Sequence, residues 1–434
     1  PTVAYTANNT TLTMTGAVNA SDSFYVIFQG KAIQTAGLPV DAAITASTIT
    51  TSQTITSTGN ITTSGTVNTP SINGGQIGGR RNIIINGAMQ VAQRGTSVTG
   101  LGNSAGYKTV DRFKVNCDTG NATAGRFTMS QATDIHDGFT NAIKLDCTTA
   151  DTSIAAGEQL TLETSFEGQD LQQLKKGSSD AEKITISFYV KGNGNATYML
   201  EVKDGDNDRL NHHQFAVTSS WNRISVTLVG DTTGALDNDN AESLELRFWL
   251  HAGSNYTSGS YTANTWAGQT HANRAVGISS FFSSTDNTFF ITGLQMEVGS
   301  QATPFEHRSF GEEQALCQRY FQRLATISTY GPIGIGRAWS TSRMNVSYPL
   351  KVTMRDNPSL SVSDFGHMQV AGISQNLDAI HNDGSSGTTV ATDKECTGVK
   401  IGFGHSGAGF TNGTIYQAEF DSVAEGYIDI NSEL

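Results

Sequence analysis

The sequence predicts an all-β protein, and three observations carry that reading. Of 434 residues, 96 are Ser or Thr and 46 are Gly, whereas charged residues make up only 15%, against about 25% in ordinary globular chains. Helical bundles and coiled coils need a different mixture, rich in Ala, Glu, Lys, Leu and Arg. About nine short segments alternate apolar and polar residues with turn-forming residues between them, the pattern of half-buried strands. Ahead of them, a Thr-Ser-Gly background carries one aliphatic residue at every sixth position. At roughly 100–200 residues per domain, the length suggests two to four domains.

Residues 1–40 read as the end of a small β module, with alternation in Thr11-Leu12-Thr13-Met14 and Phe24-Tyr25-Val26-Ile27-Phe28. Residues 41–79 read as a repetitive shaft and hinge. Ile49, Ile55, Ile61 and Val67 lie six apart, each flanked by hydroxyl or amide residues and followed by a turn-prone triplet such as Ser57-Thr58-Gly59. That is a short strand plus a turn, repeated. Composition alone would favour a disordered linker, but the regular spacing of β-branched residues weighs against it. Ordering six residues costs about 6–12 kcal/mol, whereas burying one Ile returns about 2–3. One chain cannot hold such a shaft. Three chains around a common axis could place three aliphatic side chains in each layer, so the repeat predicts a homotrimer with a trimeric β-shaft. Gly74, Gly75, Gly78 and Gly79 then read as a hinge.

Residues 80–308 carry the alternating segments, among them Lys183-Ile184-Thr185-Ile186-Ser187-Phe188-Tyr189-Val190 and Leu244-Glu245-Leu246-Arg247-Phe248. They predict a β-sandwich or jelly roll with a substantial core. Residues 309–325 predict a connecting helix, with Ser309 and Glu312 as a capping box and Leu316, Tyr320, Phe321 and Leu324 at helical spacing. Such a stripe serves packing, either within the chain or against its copies. Strand patterns and Gly-rich loops return in 326–434, read as a separate C-terminal β tip domain.

The formal charge of −12 argues against a nucleic-acid or anionic-membrane partner, which would need clustered Lys and Arg. No apolar run approaches the roughly 20 residues of a membrane span, so no membrane insertion is expected. The chain begins with Pro1 rather than Met, as a processed or truncated start would. Cys117, Cys147, Cys317 and Cys396 are widely spaced, which suggests buried free thiols rather than a zinc site or disulfide framework and suits synthesis in a reducing cytoplasm.

Two segments resemble the tail fibres of bacteriophages, particularly those of marine podoviruses and related prophages. One is Asn82-Ile83-Ile84-Ile85-Asn86-Gly87-Ala88-Met89-Gln90-Val91-Ala92-Gln93-Arg94-Gly95. The other is Gly293-Leu294-Gln295-Met296-Glu297-Val298-Gly299, running through Ala302-Thr303-Pro304-Phe305-Glu306-His307-Arg308. Both look like the boundaries of a jelly roll similar to carbohydrate-binding modules. The resemblance covers residues 80–325 well and the last hundred loosely. It implies a trimeric virion tail appendage, made in the host cytoplasm and joined through its N-terminal side to tail adaptor or tubular proteins. Its distal end would bind a bacterial surface polysaccharide or lipopolysaccharide.

Glycan binding needs aromatic faces for sugar C–H groups, with amides and hydroxyls nearby. Tyr256, Tyr261 and Trp266 offer this in one loop. Trp339, Phe403, His405, Phe410 and Tyr416 offer it in the tip domain. Packing of the loop or of a subunit contact is the alternative use of these rings. Asp204, Asp206 and Asp208 have the alternate spacing of a calcium loop, although Arg209 and Phe215 stand where an EF-hand needs Gly and Glu; a solvated acidic turn is the simpler reading. Otherwise no cofactor is expected. Gly402-Phe403-Gly404-His405-Ser406-Gly407 matches GxGxxG but lacks a following helix. No GxSxG, HExxH or P-loop occurs, so the expectation is a non-enzymatic attachment fibre. The alternatives are a structural fibre without a receptor site and, behind it, a polysaccharide-degrading spike.

Overall fold

The computed structural model describes residues 5–8, 11–14, 17, 80–117, 124–133, 136–326, 329–371, 373–377, 379–382, 385–386, 398–404, 409–421 and 426–434. Ile49, Ile55, Ile61, Val67, His405 and Cys396 lie outside the described residues. Two units separate, residues 1–67 and 68–434. In the first, β1 (Tyr5–Asn8) and β2 (Thr11–Met14) form an antiparallel hairpin on the alternation at Thr11–Met14.

The second unit begins with a β-sandwich. Its strands are β3 (Ser97–Leu101), β4 (Gly106–Tyr107), β5 (Lys114–Cys117), β6 (Arg126–Ala132), β7 (Ala142–Thr149), β8 (Gln159–Glu167) and β9 (Ile184–Gly192). They continue as β10 (Ala196–Asp204), β11 (Arg209–Val217), β12 (Asn222–Leu228), β13 (Glu242–Ala252), β14 (Ala267–Gly268) and β15 (Thr288–Val298), with one helical turn, α1 (Ser254–Thr257), after β13. A seven-stranded sheet runs β14-β11-β10-β13-β8-β5-β4, and a six-stranded sheet runs β12-β9-β15-β7-β6-β3. All pairings are antiparallel, and the chain passes repeatedly between sheets, as in a jelly roll. Alternation along each strand turns one set of side chains inward. Phe188, Val190, Leu200, Phe248 and Ile291 meet there in one buried cluster.

The two segments that suggested domain edges are bonded to each other. Asn82 Oδ1 accepts from the amides of Ile84 (3.0 Å) and Met296 (3.1 Å), and Glu306 accepts from the amides of Arg81 and Asn82 at 2.9 and 2.7 Å. Arg308 reaches the carbonyls of Asn82 and Ile84. One strap therefore closes the sandwich beside β15.

The helix is shorter than the sequence suggested. α2 (Phe310–Gln318) begins with Ser309 Oγ accepting from the Glu312 amide at 3.3 Å, and Phe321–Ala325 is a strand, β16. Tyr320, Phe321 and Leu324 therefore do not form a helical stripe. The remaining strands are β17 (Gly331–Ala338), β18 (Arg343–Pro349), β19 (Ser359–Val362), β20 (Met368–Val370), β21 (Ile373–Asn376), β22 (Ala379–Asn382), β23 (Ser385–Ser386), β24 (Gly398–Gly404), β25 (Ile415–Phe420) and β26 (Tyr427–Asn431). They form a three-stranded sheet, β16-β26-β19, and an eight-stranded sheet, β21-β20-β25-β17-β18-β24-β22-β23. A second core of Met344, Val346, Ile401, Phe403, Ala418 and Ile428 fills the space between them. This domain is tied to the sandwich through Glu433, which pairs with Arg112 and Arg94, and through Leu434, whose carbonyl accepts from Tyr107 at 2.9 Å. Cys117, Cys147 and Cys317 are buried free thiols.

Candidate functional site

The outer face of the six-stranded sheet carries a continuous strip of rings. On β9, Phe188 and Val190 are buried in the core while Tyr189 and Lys191 point the other way and stay half-buried. Strand register places Arg223 of β12 and Thr292 of β15 beside Tyr189; Phe290 lies between Lys191 and Lys144 of β7. Loops complete the row. Trp221 precedes β12, His136 and Phe139 come from the β6–β7 connection, and Phe305 and His307 follow β15.

Neighbouring ring centroids are close throughout. Phe290 to Trp221 is 6.1 Å, Trp221 to His136 is 6.1 Å, and His136 to Tyr189 is 4.3 Å. Tyr189 to Phe139 is 5.5 Å, Phe139 to Phe305 is 5.1 Å, and Phe305 to His307 is 4.8 Å. Cations flank them: Lys191 Nζ stands 4.8 Å from Phe290, and the Arg223 guanidinium is 5.9 Å from Tyr189. Phe290 is buried, His307 is exposed, and the other rings are half-buried, so the strip reaches solvent. Gly293 makes room for it. Its φ is +61°, and an added Cβ would lie 2.5 Å from the Phe139 ring. A glycine within the domain-edge segment is thus needed by the strip. Such a surface can hold a ligand that presents apolar C–H faces between polar edges.

The rings singled out in the sequence lie elsewhere. Tyr256 packs 5.1 Å from Trp249, Tyr261 accepts from the Gln214 amide and lies 5.5 Å from His212, and Trp266 donates to the Val229 carbonyl at 2.8 Å. The Tyr256 and Tyr261 contacts fasten the loop to the outer face of the seven-stranded sheet, and the Trp266 contact fastens it to the end of β12. Tyr256 also walls a shallow cleft of about 650 Å³ with His271 and Asn255. In the terminal domain, Phe403 and Phe410 are buried, and the Tyr416 hydroxyl accepts from the Thr411 amide. Trp339 remains exposed. The rings of the strip come from five separate segments, and sheet register together with the loops after β6 and β15 brings them side by side.

Asp204, Asp206 and Asp208 do not converge. The Asp204 carboxylate is buried against the Lys176 ammonium and Asn207, Asp206 accepts from the Asp237 amide at 2.9 Å, and Asp208 has a left-handed backbone. Trp266 covers this cluster, with Lys176 Nζ 5.4 Å from its ring. Among the described residues, no three His, Cys, Asp or Glu side chains are grouped to hold a metal ion. Arg209 at the position of an EF-hand glycine has its own role, pairing with Asp231 at 2.7 and 3.0 Å.

The outer face of the seven-stranded sheet is a charge lattice. Lys114, Glu163, Arg247, Glu201 and His212 stand side by side on β5, β8, β13, β10 and β11. Arg274 of the covering loop clasps Glu201 with contacts of 2.9 and 2.5 Å. Burial, reinforced by neighbouring Glu245, pushes Glu163 up to about 7. Burial also acts on Glu245, but the Glu163 hydrogen bond and the Arg247 guanidinium outweigh it and hold that carboxyl near 2. Nearby, His251 joins Ser280 Oγ (2.8 Å) to Glu158 (3.1 Å). The imidazole is wholly buried, and Ser280 caps the turn Phe281–Ser283, so this chain of bonds ties strands together.

No protein-family model and no curated protein matches the chain. Solved structures similar to it include a CBM4 structure, at 9% identity, covering 49% of this chain and 97% of the other, with a TM-score of 0.26. A CBM22-1 xylan-binding domain from Paenibacillus barcinonensis is 12% identical, over 49% of this chain and 100% of the other, with a TM-score of 0.23. A family 11 carbohydrate-binding module of a cellulosomal cellulase from Clostridium thermocellum is 12% identical, over 46% and 98%, with a TM-score of 0.23. Likeness of this degree assigns the chain neither a ligand nor a family.

Proposed function

We propose that the chain is the subunit of a trimeric attachment fibre of the bacteriophage tail-fibre type, and that its sandwich holds a host surface glycan on the strip from Phe290 to His307. The single observation that carries the reading is the uninterrupted row of solvent-reaching rings at Trp221, His136, Tyr189, Phe139 and Phe305. Sugar rings present C–H groups to such faces and hydroxyls to their edges. Individual stacking contacts are worth about 0.5–1.5 kcal/mol, too little for firm attachment alone. Three equivalent strips on one trimer gain by avidity when the surface polymer repeats its epitope.

In this reading the N-terminal side joins the tail, and the ligand is a bacterial surface polysaccharide or lipopolysaccharide. Purified full-length protein should therefore compete with phage for adsorption to host cells, and the Trp221→Ala, Tyr189→Ala double variant should not. Wild-type protein that binds no surface polysaccharide and leaves adsorption unchanged would contradict the proposal and favour a structural fibre.

A further inference from the structure

We infer that the outward face of the eight-stranded sheet is a contact between copies of this chain, an inference that rests on the trimeric reading above. On β17, Ile333 and Ala338 enter the core, while Ile335 and Arg337 point outward. Register sets Gln417 opposite Ile335 and Ile415 opposite Arg337 on β25, with Asn345 of β18 on the other side of Arg337. Trp339 pairs with Arg343 through the bond from its amide to the Arg343 carbonyl, and the Arg343 guanidinium lies 5.5 Å from the indole. Beyond them, Gly402 and Gly404 of β24 lie opposite Asn345 and Arg343 and present a floor without side chains.

This face is unfinished as a solvent surface. Ile415 is 69% exposed, Ile335 66% and Trp339 44%. Single exposed aliphatic residues are ordinary. Here two diagonal isoleucines and a tryptophan surround Arg337 and Arg343, and neither guanidinium has a carboxylate partner among the described residues. Aromatic and Arg side chains with few Lys or Glu are the composition of interface centres.

Three considerations select a second copy as the occupant. The six-residue spacing of Ile49, Ile55, Ile61 and Val67 calls for chains side by side in one register, which delivers each terminal domain to its neighbours at high local concentration. The chain carries a net charge of −12, so a neighbouring copy has carboxylates to spare for the two guanidinium groups. On a threefold axis the face cannot pair with itself, because a self-paired contact, in which residue i meets j and j meets i, needs a twofold axis. The contact is therefore heterologous, this face against a different surface of the next copy, and around the threefold axis of the shaft it closes as a ring of three. Trp339 then belongs to assembly rather than to ligand binding.

The test uses the full chain. Light scattering gives the mass, and the emission of wild type minus that of Trp339→Phe isolates one indole among the four in the sequence. The expected result is three times 46.1 kDa, with Trp339 at least about threefold less quenched by acrylamide than in urea. Ile335→Asp with Ile415→Asp, both at exposed positions, should restore full quenching without unfolding the sandwich. A trimer whose Trp339 is as quenchable as in urea would overturn this inference and leave the trimeric fibre standing. A monomer would overturn both.

Discussion

The Arg112 guanidinium lies 3.5 Å from the centre of the Tyr320 ring and, on the same buried side, donates to Glu433 and to the Ser165 carbonyl at 2.7 Å. One side chain thus joins the sandwich, the start of β16 and the last turn of the chain. Tyr320 in turn donates to Glu167 at 2.6 Å, which also receives Arg319. Removing one partner of a buried pair leaves the other charge uncompensated, at about 3–5 kcal/mol. Arg112→Ala should lower the unfolding free energy obtained from denaturant titration by about that amount. A loss below about 1 kcal/mol would show that solvent already shares the site.

The Glu163–Glu245 pair predicts a pH dependence. Glu163 holds its proton up to about pH 7 in the folded state, above the ordinary carboxyl range near 4.5, so its contribution to stability is complete below pH 4.5 and is lost as pH rises through 7. Glu245 acts in the opposite sense, and only as pH falls below 4.5 toward 2. Asp111, pushed up to about 6 by burial, adds to the slope in the same direction as Glu163. Between pH 5 and 8, wild type should therefore lose stability, of order 1–3 kcal/mol. Glu163→Gln should flatten the part above pH 6 in denaturant titrations. Equal slopes for the two proteins would refute the assignment.

Gly87 carries the strap that closes the sandwich. A Cβ there would lie 2.1 Å from the Leu294 carbonyl oxygen, which is backbone and cannot swing aside. Gly87→Ala should cost about 2–3 kcal/mol or more through displacement of the strap. Hydrogen exchange should then rise first at Ile83 and Met296, whose amides are bonded within that strap. Unchanged exchange at both would mean that the strap tolerates the shift.

Chelators should not affect the acidic loop. The Asp204 carboxylate is held by Lys176 and Asn207, so its counter-charge is built in. Thermal unfolding in excess EDTA should match that in added calcium, whereas Lys176→Met should destabilise by about 3–5 kcal/mol. A rise of several degrees with calcium alone would reveal a cation site that this geometry does not form.

How far the sequence could be read depended on whether a signal was local. Ile184–Val190 alternates cleanly because one face meets the core, and it became β9. β11 carries no such alternation, because Asn211-His212-His213-Gln214 is polar on both faces, its outer side being roofed by Tyr261. In β24, Val399, Ile401 and Phe403 alternate and are all buried, so Phe403, offered by the sequence as a glycan platform, belongs to the core. Tyr320, Phe321 and Leu324 satisfy helical spacing, but tertiary pairing with β26 draws Phe321–Ala325 into a sheet. The strip had no local signal. Its rings are scattered from His136 to His307, and long-range strand register assembles them.

The most direct measurement is a calorimetric titration of full-length protein with purified host surface polysaccharide, comparing wild type with Trp221→Ala and Tyr189→Ala. Loss of one stacking face is expected to weaken binding about 5–10-fold, corresponding to about 1–1.4 kcal/mol, with unfolding midpoints changed little for Trp221→Ala. Wild-type affinity retained in both variants, or lost instead on substituting Trp339, would contradict the assignment of binding to the strip.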